Sequence, residues 1–66
     1  MKWVKLTGRE WLNMDQVFSI RIVEEISGSY HLLFQGADDK RLARAYFHTH
    51  EEAEIRLREI MAEVQS

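Results

Sequence analysis

Apolar and polar side chains alternate from residue 18 to residue 26. Phe18, Ile20, Ile22 and Ile26 share one parity, Ser19, Arg21 and Glu25 take the other, and Glu24 is the one break. A period of two sends successive side chains to opposite faces of a strand, so this segment is the clearest strand in the chain. Tyr30-His31-Leu32-Leu33-Phe34-Gln35 reads as the next strand, set off by a Ser27-Gly28-Ser29 turn. A three-residue loop pairs Ile26 with Tyr30 and Ile22 with Phe34, which keeps the large apolar side chains on one face. A two-residue loop sets Arg21 opposite Phe34 instead, so the first register is the one expected.

Upstream, residues 2–6 and 10–12 form two short strands joined by Thr7-Gly8-Arg9. Asn13-Met14-Asp15-Gln16 reads as a turn, because Asn and Asp side chains bond to backbone two residues on. Gly36-Ala37-Asp38-Asp39-Lys40 leads into a last strand, Arg41–Phe47. Either Ala43, Ala45 and Phe47 face the core, or Leu42 and Tyr46 do. The glycines at 8, 28 and 36 sit between strands, where hairpins call for positive φ.

After residue 48 the period changes. Thr49 with Glu52 matches a capping box, and Ala53, Leu57, Ile60, Met61 and Val64 recur at helical spacing, predicting a helix over about 50–65. Glu52 with Arg56 and Glu54 with Arg58 are i,i+4 pairs in the favourable order, and Ile55 falls on the exposed side. These elements predict an α+β fold in one domain, 1–66. It is an antiparallel β-meander of four to five short strands closed by one C-terminal amphipathic helix on one face.

Length sharpens that picture. A chain of 66 residues buries only about 60% of the surface its unfolded form exposes. Cysteine is absent, so neither disulfides nor thiolate metal sites support it. One helix covers one face of the sheet, while Val23 and Leu33 point to the other, joined by Leu42 or Tyr46 and extended by Trp3 or Trp11. This leaves an apolar face that calls for a partner, a second copy of the chain or another protein. The expected function is a non-catalytic protein-interaction or regulatory module, homodimeric, using Trp3, Trp11, Val23, Leu33 and Tyr46. A small regulator encoded by a bacterium or phage would read the same way.

The net charge of −2 and pI near 5.9 give no global attraction to nucleic acid. Two local clusters are basic, however: Lys2, Lys5 and Arg9, and Lys40, Arg41 and Arg44. Interleaved with Trp3, Trp11, Tyr30 and Tyr46 they define an alternative, single-stranded nucleic-acid binding on the sheet. A second alternative is a metal site at His48 and His50, with His31 from a neighbouring strand. His50-Glu51-Glu52-Ala53-Glu54 falls short of H-E-x-x-H because Glu54 stands where the second histidine belongs. His31 also has a purely structural use, pairing across strands with Glu25.

No cofactor is implied, and no nucleophile elbow or phosphate-cradling glycine loop is present, so an enzyme is not expected. No apolar run approaches the roughly 20 residues that span a bilayer, and Met1-Lys2-Trp3-Val4-Lys5 lacks a secretory signal's apolar stretch. The expected location is the cytoplasm.

The run Lys5-Leu6-Thr7-Gly8-x-x-Trp11-Leu12-Asn13-x-Asp15-x-Val17-x-x-Ile20 resembles the start of the small flagellar FlbD/SwrD-type proteins, which also end in a helix. The resemblance covers about the first third of the chain and implies a non-enzymatic regulatory partner of motility machinery. Trp3, the Asp38-Asp39 hairpin and the long acidic helix depart from it, and no functional residue is carried across.

Overall fold

A computed structural model describes residues 2–6 and 10–65. The Thr7-Gly8-Arg9 turn, and with it the place of Arg9 in the first basic cluster, lies outside the described residues. The elements run β1 (Trp3–Lys5), β2 (Trp11–Asn13), β3 (Ser19–Glu24), β4 (Tyr30–Gln35), β5 (Arg41–Phe47) and α1 (His50–Gln65). The fold is α+β, with every strand pair antiparallel. The strands divide into two sheets: a ribbon of β1 and β2, and a three-stranded sheet in the order β3-β4-β5. Met14–Gln16 forms a single 3₁₀ turn between them, and Asn13 Oδ1 accepts from the Asp15 N–H at 3.0 Å, as the turn chemistry predicts.

The three-stranded sheet presents Ile20, Ile22, Tyr30, Leu32, Phe34, Ala43, Ala45 and Phe47 to the helix. This settles β5: Ala43, Ala45 and Phe47 lie opposite Phe34, Leu32 and Tyr30. Leu42 also reaches the core, because the pairing shifts between Phe34 and Gln35 and leaves Leu42 as an extra residue in β5. From the other side come Ala53 and Ile60 of α1, both fully buried, with Leu57 and Val64 partly so. The ribbon lies on this same core: Val4, Leu6 and Leu12 join the buried cluster. Arg56 Nη2 donates to the Lys5 carbonyl at 2.6 Å and ties helix to ribbon. Helix and ribbon therefore share the inner face, and among the described residues no second layer covers the outer face of the three-stranded sheet.

The predicted β3–β4 register keeps its parity but slides by two residues. Ile22 faces Leu32 and Ile20 faces Phe34, so Glu24 rather than Ile26 closes the ladder against Tyr30. The slide buries Leu32 and Phe34 completely and leaves Ile26 fully exposed in the turn, where the Glu25 N–H bonds to Ser29 O. Central burial of two large side chains outweighs exposure of one.

The helix start is as expected. Thr49 Oγ1 accepts from the Glu52 N–H at 3.1 Å while Glu52 Oε1 accepts from the Thr49 N–H at 3.1 Å. Because Glu52 is committed to this cap, Arg56 pairs with Glu59 at 3.3 Å instead. Glu54 pairs with Arg58 at 3.4 Å, and Ile55 is exposed.

Gly28 has φ +93 in the β3–β4 turn, the left-handed region that suits glycine. Gly36 differs from expectation: its φ is −105, and its role is close approach, since a Cβ there would lie 2.9 Å from the Gln16 carbonyl oxygen. Positive φ in the β4–β5 hairpin falls on Asp38 and Asp39, both at φ 58, with the Lys40 N–H bonded to Ala37 O at 3.2 Å. Two positive-φ residues inside a tight hairpin form a primed turn, which favours glycine at the second position. Asp39→Gly removes left-handed strain of about 1 kcal/mol and keeps the Gln35 bond to the residue 39 carbonyl. A thermal melt is expected to rise by about 4–8 °C, and an unchanged or lower midpoint would contradict the strain.

Candidate functional site

Two surfaces stand out, and both follow from how β3 is held. At its start the Phe18 N–H donates to Gln35 O at 2.8 Å, although Ser19 is already the residue opposite Gln35. The paired ladder begins at Ser19, so Phe18 lies just outside it and is not held to the strand's alternation. Phe18, which by parity belongs in the core, is 75% exposed. It stands at the rim of a groove of about 460 Å³ between the start of β3 and the second half of α1. Met14, Val17, Ile20, Leu57, Met61 and Val64 complete the apolar wall, and Ser19 is the one polar residue in the lining. Met61 is 39% exposed here, although it belongs to the helix's apolar stripe. The missed signal was the second apolar row of the helix, Leu57-Met61-Val64, which is wider than one strand can cover.

The second surface is the outer face of the three-stranded sheet. Across it, Arg21 faces Leu33 and Leu33 faces Arg44, while in the next row Val23 faces His31 and His31 faces Tyr46. Ser19, Gln35 and Arg41 form the far row. Val23, Leu33 and Tyr46 therefore share this face, and Leu42 does not. The face is not the apolar patch that the sequence suggests. Leu33 is buried and Val23 half-buried without a second layer. Leu33 lies between Arg21 and Arg44 in register, and arginine stems can cover apolar neighbours while their guanidinium groups stay in water. Arg21 was legible as part of this face, since it shares Val23's parity.

His31 is buried between these rows. Its ring centroid lies 5.6 Å from that of Tyr46, and its Nδ1 lies 3.8 Å from Glu25 Oε2, the cross-strand pair the sequence suggests. That separation is too long for a hydrogen bond. His31 Nδ1 is the one buried side-chain polar atom without a hydrogen-bond partner among the described residues. His48, just beyond β5, borders a shallow hollow with Ser29, Tyr46 and Phe47.

The remaining predicted site residues are dispersed. Trp3 and Trp11 stand on the ribbon, both more than half exposed, in adjacent pairs with Asn13 and Lys5. Lys2 and Lys5 belong to that ribbon, whereas Lys40 and Arg41 follow the Asp38-Asp39 turn and Arg44 lies in β5. Tyr30 is on the inner face, edge-on to His50 at 5.4 Å. His50 Nδ1 meets Glu54 Oε1 at 2.7 Å, an i,i+4 contact on α1. His48 and His50 do not converge with a third ligand: among the described residues no three His, Cys, Asp or Glu side chains come together to hold a metal. Among the described residues no helix is long and apolar enough to cross a membrane. No family model matches this chain, nor does any curated protein or solved structure.

Proposed function

We propose that this protein is a non-catalytic interaction module that works as a homodimer, joined through the open edge of β3 and the apolar groove beside it. The observation that carries this reading is Phe18, a large apolar side chain 75% exposed next to an apolar groove with one polar lining residue. An exposed apolar residue beside an apolar groove marks a surface that a second copy can cover, and a two-fold axis is the symmetry of most soluble dimers.

The edge strand supports the same arrangement. β3 pairs with β4 on one side only, so its other row of N–H and C=O groups is available for a strand from another chain. Phe18 and Ile26, the two most exposed large apolar residues, lie four positions either side of Ile22. Antiparallel β3–β3 pairing about Ile22 brings each Phe18, just before the strand, toward the partner's Ile26 in the turn after it. A two-fold through Arg21 would stack like charges and is disfavoured. Pairing across copies also covers an edge that would otherwise template uncontrolled aggregation.

The resemblance to the FlbD/SwrD-type proteins agrees with a regulatory, non-enzymatic role. The test is solution mass by light scattering over a dilution series. A mass of twice the 7.9 kDa chain that falls on dilution is expected. A monomer at every concentration would overturn the homodimer.

A further inference from the structure

The outer sheet face carries a chemistry that dimerisation through the β3 edge does not use. We propose that the outer face of the β3-β4-β5 sheet binds single-stranded nucleic acid, with Arg21, Arg41 and Arg44 taking the phosphates and Tyr46 stacking a base.

The argument begins with how charge is sorted over the molecule. The helix carries Glu51, Glu52, Glu54, Glu59 and Glu63, and the other acids sit in turns or at strand ends. The outer face instead gathers Arg21, Arg41 and Arg44, with His31 within it and His48 at its rim. Among the described residues Glu25 lies at its edge, turned to His31, and the Asp38-Asp39 turn adjoins its far row, where the Gln35 side chain bonds to the Asp39 carbonyl. Among the described residues Arg21, Arg41 and Arg44 have no acidic partner. The net charge of −2 therefore conceals a molecule with one basic side. A local field of this kind attracts polyanions whatever the overall pI.

Geometry narrows the class of polyanion. Arg21 and Arg44 flank Leu33 from the two neighbouring strands, so their backbones are about 10 Å apart at the usual strand spacing. Each guanidinium can move over the face to meet a phosphate, and its planar fork matches phosphate oxygens bidentately. In the row beside Arg21 and Arg44, Tyr46 is 56% exposed and its ring is tilted against that of the buried His31. A base stacks on such a platform without sequence readout, which is how sheet-borne sites hold single strands. Duplex does not suit it, because paired bases offer no free face to Tyr46. An acidic protein segment would satisfy the arginines and leave the rings without a partner. His31 Nδ1, buried on this face with no hydrogen bond, is the kind of orphan that a bound acceptor or donor would satisfy.

The test uses a fluorescently labelled oligothymidylate of about 12 nucleotides, within the span of small single-strand sites, and reads anisotropy at several salt concentrations. Wild type is expected to bind with an affinity that falls linearly in log–log form with salt. Each phosphate contact adds about 0.7 to the slope, so the Arg21→Gln/Arg44→Gln double variant is expected to lose about 1.4. Tyr46→Leu is expected to weaken binding roughly 5- to 150-fold while leaving the slope in place. These substitutions lie at exposed or half-buried surface positions, and circular dichroism verifies the fold of each variant. Absence of binding at the lowest salt would overturn the proposal. So would competition by polyglutamate as effective as by unlabelled oligonucleotide, which would assign the face to acidic protein. Binding that survives the double variant but is lost with Trp3→Leu/Trp11→Leu would place the site on the ribbon instead and equally overturn it. Mass measurements on the same samples read dimerisation separately.

Discussion

Phe18→Asp is expected to convert the dimer to monomer, raising its dissociation constant by about two to four orders of magnitude. Burying a phenylalanine contributes about 1.5–3 kcal/mol. In a two-fold dimer each substitution acts twice, so the loss is about 3–6 kcal/mol, and every 1.4 kcal/mol is tenfold. The buried carboxylate adds to it. The monomer should barely notice, because Phe18 is 75% exposed and surface changes usually stay within about 0.5 kcal/mol. Unfolding of the variant, measured below the wild-type dissociation constant, should match that of wild type. Ile26→Asp should act in the same direction, since it removes the other half of the predicted contact. Ile55→Asp, exposed on the acidic side of the helix, should leave the mass unchanged. A dimer that persists in Phe18→Asp would remove the β3 edge as its interface, while leaving dimerisation itself intact.

The second large effect concerns the core. Phe34→Ala is expected to destabilise the fold by about 3–5 kcal/mol. Phe34 is fully buried in the central strand, flanked by Ile20 and Ala43 and within the cluster that includes Ala53 and Ile60. At about 0.05–0.15 kcal/mol per residue, a chain of 66 residues has roughly 3–10 kcal/mol in total. The substitution therefore removes much or all of the margin, and the variant should melt below or close to room temperature by circular dichroism. Little rigid structure surrounds the site to limit the damage: one helix and a two-stranded ribbon are all that cover the inner face. Tyr46→Leu, at an exposed position on the other face, serves as the contrast and should shift the midpoint only slightly. A drop of only a few degrees for Phe34→Ala would mean that the core closes around the vacated volume.

The proposed dimerisation would be linked to core stability in this small chain. A two-fold partner binds the folded state alone, so it raises apparent stability with protein concentration. A Phe34→Ala protein rescued at high concentration, but not after the further change Phe18→Asp, would show that link directly.

The two surfaces differ in how far they could be read before the fold was seen. Local physics is written in the sequence. Tyr30–Gln35, Arg41–Phe47 and the helix at His50–Gln65 follow from periods of two and 3.6, and the Thr49–Glu52 cap from a spacing of three. Parity alone also puts Arg21, Val23 and Leu33 on one face, because any register that buries Ile20 and Ile22 with Phe34 must do so. Tertiary structure decided whatever depended on sliding or on a break in the period. Moving β3 by two residues preserves every face, so periodicity cannot choose between registers. Burial of Leu32 and Phe34 under Ile60 chose, and it left Ile26 outside. The start of the ladder at Ser19, which leaves Phe18 outside it, has no period to announce it, and Gly36 is required by the approach of Gln16, twenty residues away in the chain. Leu33 shows the same division. Its face was legible, but whether that face is greasy or basic depends on the arginines from two neighbouring strands, which only strand order brings to its sides.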